Sequence, residues 1–233
     1  MGTGEIPRMF SRIAGRYDLA NRVLSGTLDR TWRRRLVRLA TPRPGERVLD
    51  VGTGTGDLLI EFHRREPELK LWGLDLSGGM LAVCREKLRR LRVEASLVEG
   101  DALRMPFASG AFDIVTIAFG LRNLPDRERG LREMVERLRP GGRLLILEFS
   151  LPQHRWVRAP YRFYLNAIVP RVGGWLTGDR PAYEYLCRTI QEFPTPQEIA
   201  GAMERVGLAD VRYEALSGGI AWLYRGGAPK SRR

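Results

Sequence analysis

Two polar side chains follow an apolar segment near the middle of the chain. The run FDIVTIA, residues 112–118, has the length and apolar character of a buried strand. It leads into FGLRNLPD, which places Arg122 and Asn123 just before a proline. A guanidinium can stabilise negative charge that develops during a reaction, and a carboxamide can hold a polar group of a ligand. We therefore predict that Arg122 and Asn123 are catalytic, although a surface arginine or a salt bridge to Asp126 would also explain the cation.

A second candidate site is the glycine-rich segment VLDVGTGTGD, residues 48–57. Gly52 and Gly54 follow a predicted strand, and glycines at this place permit a tight turn and close approach of a ligand to the backbone. Asp75 ends the next predicted strand about 20 residues later, where an acid can bind the hydroxyls of a ribose. Together these features predict a nucleoside ligand.

The type of nucleoside is indicated by position 57. The dinucleotide pattern G-x-G-x-x-G, begun at Gly52, requires a third glycine where this chain has Asp57. This departure argues against NAD and favours a nucleoside without a pyrophosphate, such as S-adenosylmethionine (SAM). At the end of a third predicted strand, Asp101 could accept a hydrogen bond from an adenine amino group, and Ala102 leaves room for the ring. The alternative is that Asp101 only caps a turn.

The elements that must position these residues alternate along the chain. From about residue 45, apolar strands alternate with amphipathic helices, a pattern typical of a mostly parallel sheet with helices on both faces. The last two strands are separated by Ser217 and Gly218, which indicates a C-terminal antiparallel hairpin. The predicted strands are 47–51, 71–76, 95–101, 112–119, 143–150, 211–216 and 219–226.

Two segments interrupt this alternation. Residues 1–40 read as helical and basic, and residues 151–194 are rich in proline, glycine and aromatic side chains. We predict that 1–40 is a helical cap on a nucleoside-binding domain that spans 41–233. Within that domain, 151–194 would be an insertion over the carboxyl edge of the sheet, on the substrate side.

The composition excludes several classes of protein. With 233 residues and 43% hydrophobic side chains, the chain can form a substantial core. Its two cysteines, Cys84 and Cys187, are far apart and lack the spacing of a disulfide scaffold or zinc site, which favours a reducing compartment. The two histidines, His63 and His154, lack metal-site partners, so no metal is expected. Without a signal-like or membrane-spanning apolar run, a cytoplasmic location is expected.

Five strings in the chain resemble class I SAM-dependent methyltransferases: VLDVGTGTGD, GLDLSGGML, EGDALRMPF, FDIVTIAFGLRNLPD and LRPGGRLLILEFS. More narrowly, the chain resembles the quinone-biosynthesis C-methyltransferases, which act on demethylmenaquinol and demethoxyubiquinol-type substrates. Residues 13–34, IAGRYDLANRVLSGTLDRTWRR, are similar to the opening helices of that family, and FGLRN is its most specific string.

The resemblance implies a Rossmann-like, seven-stranded sheet, SAM as methyl donor, and methylation of a ring carbon of a prenylated hydroquinone. Demethylmenaquinol is the preferred acceptor and the benzoquinol of ubiquinone biosynthesis is the alternative. SAM contacts carry over to Thr55, Asp75, Asp101 and Ala102. The family often has serine at the strand-end position Ala118, and alanine provides no hydroxyl there.

This chemistry gives the polar residues expected roles. A hydroquinone carbon becomes nucleophilic when its neighbouring hydroxyl loses its proton, and Arg122 would stabilise that oxyanion directly or through water. Asn123 would hold the other hydroxyl or the SAM tail. Other candidates are Tyr17 and Asp18 closing over the SAM pocket, Tyr183 and Tyr185 lining the quinone pocket, and Asp179 as a base; packing or turn formation explains each equally well.

The partners are indicated by charge. The net charge is +12, and residues 1–40 hold nine arginines against three acids. These basic helices, with Leu24, Leu28 and Trp32, could lie on anionic lipid as a peripheral contact at the inner face of the cytoplasmic membrane. A homodimer is a further expectation. An RNA methyltransferase would usually carry an Asn/Asp-Pro-Pro-aromatic string where this chain has FGLRN, so no nucleic acid partner is expected. A non-catalytic nucleoside-binding module is the remaining alternative.

Overall fold

One seven-stranded sheet forms the centre of the described chain. The computed structural model describes residues 5–230, without the side chains of Glu5, Ile6 and Tyr17. The sheet order is β3-β2-β1-β4-β5-β7-β6; β7 is antiparallel to both neighbours, and the other pairs are parallel. The α/β class and the C-terminal antiparallel hairpin are therefore confirmed. The strands are β1 (Arg47–Val51), β2 (Lys70–Asp75), β3 (Ser96–Glu99), β4 (Phe112–Ala118), β5 (Leu138–Phe149), β6 (Ala209–Leu216) and β7 (Ala221–Gly227).

The helices begin where the sequence provides caps. Ser77 accepts a hydrogen bond from the backbone N–H of Met80, and Thr195 and Glu198 form a reciprocal capping box, so helices start after both positions. A 3-10 turn, Leu121–Asn123, follows β4. The helices are α1 (Glu5–Ser25), α2 (Leu28–Ala40), α3 (Asp57–Arg65), α4 (Gly78–Leu91), α5 (Arg127–Arg137), α6 (Arg155–Phe163), α7 (Val169–Thr177), α8 (Arg180–Gln191) and α9 (Pro196–Arg205), with a π-helical turn at Tyr164–Ile168.

The start of β5 differs from the prediction. The sequence predicted a strand that begins at residue 143, but β5 begins at Leu138, which pairs with Phe112 of β4. The register then shifts so that Ile114 faces Arg143. The Pro-Gly-Gly segment between the two pairings forms this irregularity, because proline cannot donate to the ladder and Gly141 has a positive φ of 76°.

Both faces of the sheet are buried. Along β4, Ile114 belongs to one apolar cluster while Val115 and Ile117 belong to another on the opposite face. Helices cover both faces, which explains why this central strand is almost continuously apolar. The arrangement places the carboxyl ends of β1 to β4 side by side at one edge.

The first helix, α1, and the helices of residues 151–194 pack together above that edge. Residues 151–194 fold mainly into α6, α7 and α8, and a third apolar cluster joins them to α1, including Met9, Leu165 and Tyr183. The domain boundary at residue 40 stays a prediction.

Trp32 corrects one expectation about the first helices. It was expected at a lipid-facing surface, but its side chain is only 3% exposed. It packs edge-on against Phe149, with 5.8 Å between ring centroids, and its indole N–H donates to the Ser217 hydroxyl at 3.0 Å. Trp32 is therefore a core residue that fixes α2 to the sheet.

Replacing Gly56 with alanine is expected to lower the free energy of unfolding by about 3 kcal/mol or more. Gly56 has a φ of 82°, and a Cβ there would lie 2.5 Å from Sγ of Cys84 on α4. Gly178→Ala is the matched control, since Gly178 has a φ of 81° but no heavy atom within 4 Å of its Cβ position. It should cost only the backbone strain, about 1–2 kcal/mol. Urea unfolding measures both, and equal losses would contradict a packing role for Gly56.

Candidate active site

A cavity of about 590 Å³, whose wall has both polar and apolar parts and which we call the polar cavity, lies at the carboxyl ends of the parallel strands. Its size is within the range of small-molecule sites, and its place is where open α/β sheets bind their ligands. Arg122 and Asn123 also form part of its wall. The predicted nucleoside-binding residues that line it are Gly52, Gly54, Asp75, Asp101, Ala102 and Ala118.

Asp75 is held in a fixed orientation at this cavity. Its Oδ2 accepts a hydrogen bond from the Gly54 N–H at 2.8 Å, and its Oδ1 accepts one from the Ser77 N–H at 2.9 Å. Burial raises the pKa of Asp75, while these two N–H groups favour the charged form. Gly52 and Gly54 have φ values of 65° and 55°, and no heavy atom stands within 4 Å of a Cβ at either. The loop thus adopts a left-handed turn and leaves space for a ligand beside the carboxylate.

Thr55 does not line this cavity. Its buried hydroxyl instead donates to Oδ1 of Asp18 on α1 at 2.6 Å. Nζ of Lys87 lies 2.6 Å from carboxylate oxygens of both Asp18 and Asp57. Burial would raise the pKa of Asp57, but the charges of Arg33 and Lys87 outweigh it and the pKa is lowered. Thr55 and Asp18 therefore tie α1 to the glycine loop, while the side chain of Tyr17 lies outside the described residues.

The chain reverses sharply where β4 ends. Phe119 has a φ of 59°, which is strained for a bulky residue, and its N–H donates to the Leu147 carbonyl at 2.7 Å. Nη1 of Arg122 donates to the Phe119 carbonyl at 2.5 Å. The guanidinium therefore fastens the strained turn at the cavity edge.

Arg122 is not a free cation. Its Nη1 lies 2.5 Å from Oε1 of Glu148, its backbone N–H donates to Oε2 at 3.1 Å, and the two side chains are 2% and 0% exposed. Both alternative explanations of this cation are wrong. Arg122 is buried, so it is not a surface arginine. Asp126 is not its partner, because Asp126 caps α5 by accepting from the Arg129 N–H. Nε of Arg122 is buried and has no acceptor among the described residues. Arg122 can therefore offer a ligand a hydrogen-bond donor that is held in place, while Glu148 neutralises its positive charge.

Sequence reasoning missed Glu148. The signal was present, since a carboxylate within the apolar strand LLILEF must either be paired or carry a large desolvation cost. No pattern, however, indicates which of the chain's many arginines is the partner. Only the folded chain brings position 148 beside position 122.

A second cavity, of about 280 Å³, lies between α1, α2 and the helices of the 151–194 segment. Its wall is almost entirely apolar and aromatic, and it includes Tyr183 and Tyr185, which were predicted to line a quinone pocket. Burial raises the pKa of Tyr185, so its hydroxyl stays protonated at neutral pH. Asp29, which sequence reasoning also missed, is the one carboxylate among the described residues of this wall, and it is paired with Arg33 at 2.5 Å.

The two cavities meet at one place. Five residues line both of them: Phe10, Phe119, Arg122, Asn123 and Tyr185. Oδ1 of Asn123 is buried and accepts no hydrogen bond from any described residue. A buried acceptor of this kind normally has a partner, so its position fits a site that is completed by a ligand donor.

The remaining candidates lie elsewhere. Asp179 caps α8 by accepting from the Ala182 N–H and pairs with Arg12 of α1 at 2.8 Å, and it lines neither cavity, so its role as a base is not supported. His63 lies on α3, and His154 is exposed at the start of α6. Within residues 5–230, no cluster of three His, Cys, Asp or Glu side chains could hold a metal ion.

Asp50 provides a test of pH dependence. It is 2% exposed in β1, and burial raises its pKa from 3.8 to about 6 even though it accepts from the Thr53 and Thr116 hydroxyls. Because the folded protein holds this proton more tightly than the unfolded chain, the contribution of Asp50 to the free energy of unfolding should fall as pH rises from about 4 through about 6. Asp50→Asn removes this titration.

Between about pH 4 and pH 7, the stability of Asp50→Asn relative to wild type should improve by up to about 3 kcal/mol. Urea unfolding at several pH values measures the difference, and it cancels the other carboxylates that both proteins share. If the free energies of unfolding of the two proteins changed in parallel with pH, the pKa of Asp50 would not be raised by folding.

The sheet order, glycine loop and acidic strand ends define the fold of a class I SAM-dependent methyltransferase. Solved structures with this fold include a SAM-dependent methyltransferase of Thermotoga maritima, described as a possible histamine N-methyltransferase. It has a TM-score of 0.68 and 17% identity, with 96% of this chain and 99% of that chain covered. A phosphoethanolamine N-methyltransferase of Haemonchus contortus, in complex with SAM, has a TM-score of 0.64 and 16% identity over 84% of this chain and 51% of that chain.

The chain belongs to the ubiE/COQ5 methyltransferase family, whose model matches residues 2–227. It is 44% identical over 221 residues to a demethylmenaquinone methyltransferase of Thermus thermophilus, covering 95% of this chain and all of the relative. It is 43% identical to a ubiquinone/menaquinone biosynthesis C-methyltransferase UbiE of Geobacter sulfurreducens, covering 94% of this chain and 86% of the relative.

Proposed function

We propose that this protein transfers the methyl group of SAM to a ring carbon of a prenylated hydroquinone, with demethylmenaquinol as the preferred acceptor. The observation that carries the proposal is the contact between the two cavities. The polar cavity, which is lined by the predicted nucleoside-binding residues, and the apolar cavity share a wall at Phe119, Arg122 and Asn123. Family membership and the names of the relatives support the same reaction.

On the donor side, SAM supplies a sulfonium methyl that is already a strong electrophile. The protein's task is to orient it. Asp75 would hold the ribose hydroxyls, Asp101 would accept from the adenine amino group, and Ala102 would leave room for the ring. Ala118 presents no hydroxyl, so its part in the site would be limited to space and backbone.

On the acceptor side, the free donors of Arg122 would lie beside the hydroxyl next to the reacting carbon. Hydrogen bonds to that oxygen favour its deprotonated form, which makes the carbon nucleophilic. Oδ1 of Asn123 would accept from the second hydroxyl. Tyr161 and Tyr185, whose pKa values are raised by burial, would stay neutral, so the hydroxyl proton would leave through an ordered water. As the methyl group joins the ring carbon, its bond to sulfur would break to leave S-adenosylhomocysteine. The hydrogen of that carbon would then leave as a proton and restore the aromatic ring. The closely packed apolar wall would exclude other water.

A benzoquinol acceptor is the second candidate, because the Geobacter sulfurreducens relative is named for both ubiquinone and menaquinone biosynthesis. Methylation assays with demethylmenaquinol and a demethoxyubiquinol-type substrate would separate the two. Calorimetry with SAM, NAD and RNA tests the class, and NAD binding without SAM binding would overturn the proposal.

A further inference from the structure

Three large aromatic side chains are almost fully exposed on the helices of the 151–194 segment. Trp156 is 78%, Phe163 is 66% and Trp175 is 83% exposed. Trp156 and Phe163 are seven residues apart on α6, which places them on one side of the helix, and none of the residues of α6 is buried. Single exposed apolar residues are common on protein surfaces, but a group of two tryptophans and a phenylalanine indicates an interaction surface.

Exposed apolar residues of α1 extend this surface. Leu19 is 54% and Val23 is 52% exposed, one helical turn apart. This part of α1 lies against the aromatic helices, because Arg16 donates to the Leu176 carbonyl and the Tyr164 hydroxyl donates to the Leu24 carbonyl. Leu176 and Tyr164 are the direct neighbours of Trp175 and Phe163. Ile168, in the π-helical turn between α6 and α7, is 39% exposed. We define the aromatic face as Leu19, Val23, Trp156, Phe163, Ile168 and Trp175.

The charges in the segment that carries the exposed aromatic side chains have one sign. Residues 151–175 contain four arginines and no aspartate or glutamate. The guanidinium of Arg155 stacks 4.7 Å over the ring of Trp156, so cation and aromatic group are presented together. The four arginines are Arg155, Arg158, Arg162 and Arg171.

We propose that the aromatic face docks on a lipid bilayer that contains anionic headgroups. Tryptophan is favoured at the boundary between headgroups and acyl chains, and arginine is attracted to anionic lipid. A second copy of the chain fits less well, because a two-fold interface would bring like charges from both copies together. Among the described residues no helix is both long and apolar enough to cross a bilayer, so the contact would be at the surface.

The apolar cavity is lined by residues of the same helices that carry this face. Leu24 and Tyr164 line the cavity and directly follow Val23 and Phe163 of the aromatic face in the sequence. A bilayer bound at the aromatic face would therefore lie against the helices that enclose the cavity, which shortens the path of a prenylated ring from the bilayer to the cavity. This argument for a bilayer as the partner rests on the function proposed above. The proposal also moves the predicted lipid contact from the first two helices to α6, α7 and one side of α1.

Vesicle co-sedimentation tests the proposal without using the reaction. Wild-type protein should bind vesicles of phosphatidylcholine with phosphatidylglycerol, and more weakly vesicles of phosphatidylcholine alone or at high salt. The variant Trp156→Ser/Phe163→Ser/Trp175→Ser, and separately Arg155→Glu/Arg162→Glu, should each lower the partition coefficient by at least about tenfold. Matched controls elsewhere are Leu91→Ser/Tyr213→Ser and Arg38→Glu/Arg65→Glu, which also change exposed residues and should bind like wild type.

Two further measurements separate the outcomes. Circular dichroism checks that each variant is folded, and methyl transfer to a short-chain, water-soluble hydroquinone should be unchanged in the aromatic variant. Any of three results would overturn the bilayer proposal. The controls could lose as much vesicle binding as the test variants, or wild type could fail to bind anionic vesicles. The third is an aromatic variant that loses only self-association. Vesicle binding by a protein without methyl transfer activity would overturn the proposed function and leave the docking face intact.

Discussion

Arg122→Ala is expected to lower kcat for methyl transfer by about 10²–10³-fold, with a smaller change in KM. The loss would follow from removing the donors beside the developing oxyanion and from loosening the turn at Phe119, whose carbonyl accepts from the same guanidinium. Single-turnover assays with demethylmenaquinol and with the benzoquinol substrate measure the effect. An unchanged kcat would remove Arg122 from the mechanism.

The same substitution also affects folding, and the two effects can be separated. Arg122→Ala leaves the fully buried Glu148 without its partner, which should cost about 3–5 kcal/mol of stability. Arg122→Met/Glu148→Gln removes both charges and should recover most of that stability while kcat stays low. Arg122→Lys keeps the charge but not the planar fork, so it should show an intermediate kcat. If the double variant recovered kcat together with stability, Arg122 would be only a structural residue.

Asp75→Ala is expected to raise the Kd for SAM by about 10²-fold. Two losses contribute: the carboxylate no longer accepts from the ribose hydroxyls, and the Gly54 and Ser77 N–H groups lose the acceptor that orders the glycine loop. Asp75→Asn keeps the shape and one acceptor oxygen, so its loss should be smaller. Calorimetric titration with SAM gives Kd directly for each variant.

Glu99→Ala is the matched control for Asp75. Glu99 ends β3 directly beside Asp75 in the strand register, but it does not line the polar cavity. Its replacement removes the same charge from the same edge and should change the Kd for SAM by less than about threefold, the screened long-range effect of one exposed charge. Equal weakening by both substitutions would mean that general charge, not a ribose contact, explains the role of Asp75.

The polar cavity was largely predictable because its residues lie next to the ends of successive strands. Gly52 and Gly54 follow β1, Asp75 ends β2, Asp101 follows β3, and Ala118 ends β4. Parallel strands bring their carboxyl ends to one edge, so local sequence position was enough to place these residues together. Thr55 shows the limit of this reasoning, since a neighbour in the same loop points to α1 instead.

The apolar cavity and the aromatic face were not predictable in the same way. They depend on how α1, α2 and α6 to α8 pack on one another, and helical periodicity indicates an apolar side without naming its partner. Trp32 was therefore assigned to a lipid surface although it packs in the core.

The sequence by itself determined the fold class, the residues that meet at the carboxyl edge of the sheet and the placing of Arg122 and Asn123 at the exit of β4. Only the tertiary structure decided what Arg122 is: a buried donor paired with Glu148 at the wall between two cavities. The physical reason is the range of the interactions. Strand ends and caps follow from residues within a few positions of one another, whereas a buried ion pair is formed between residues 26 positions apart and exists only after the sheet has brought β4 and β5 together.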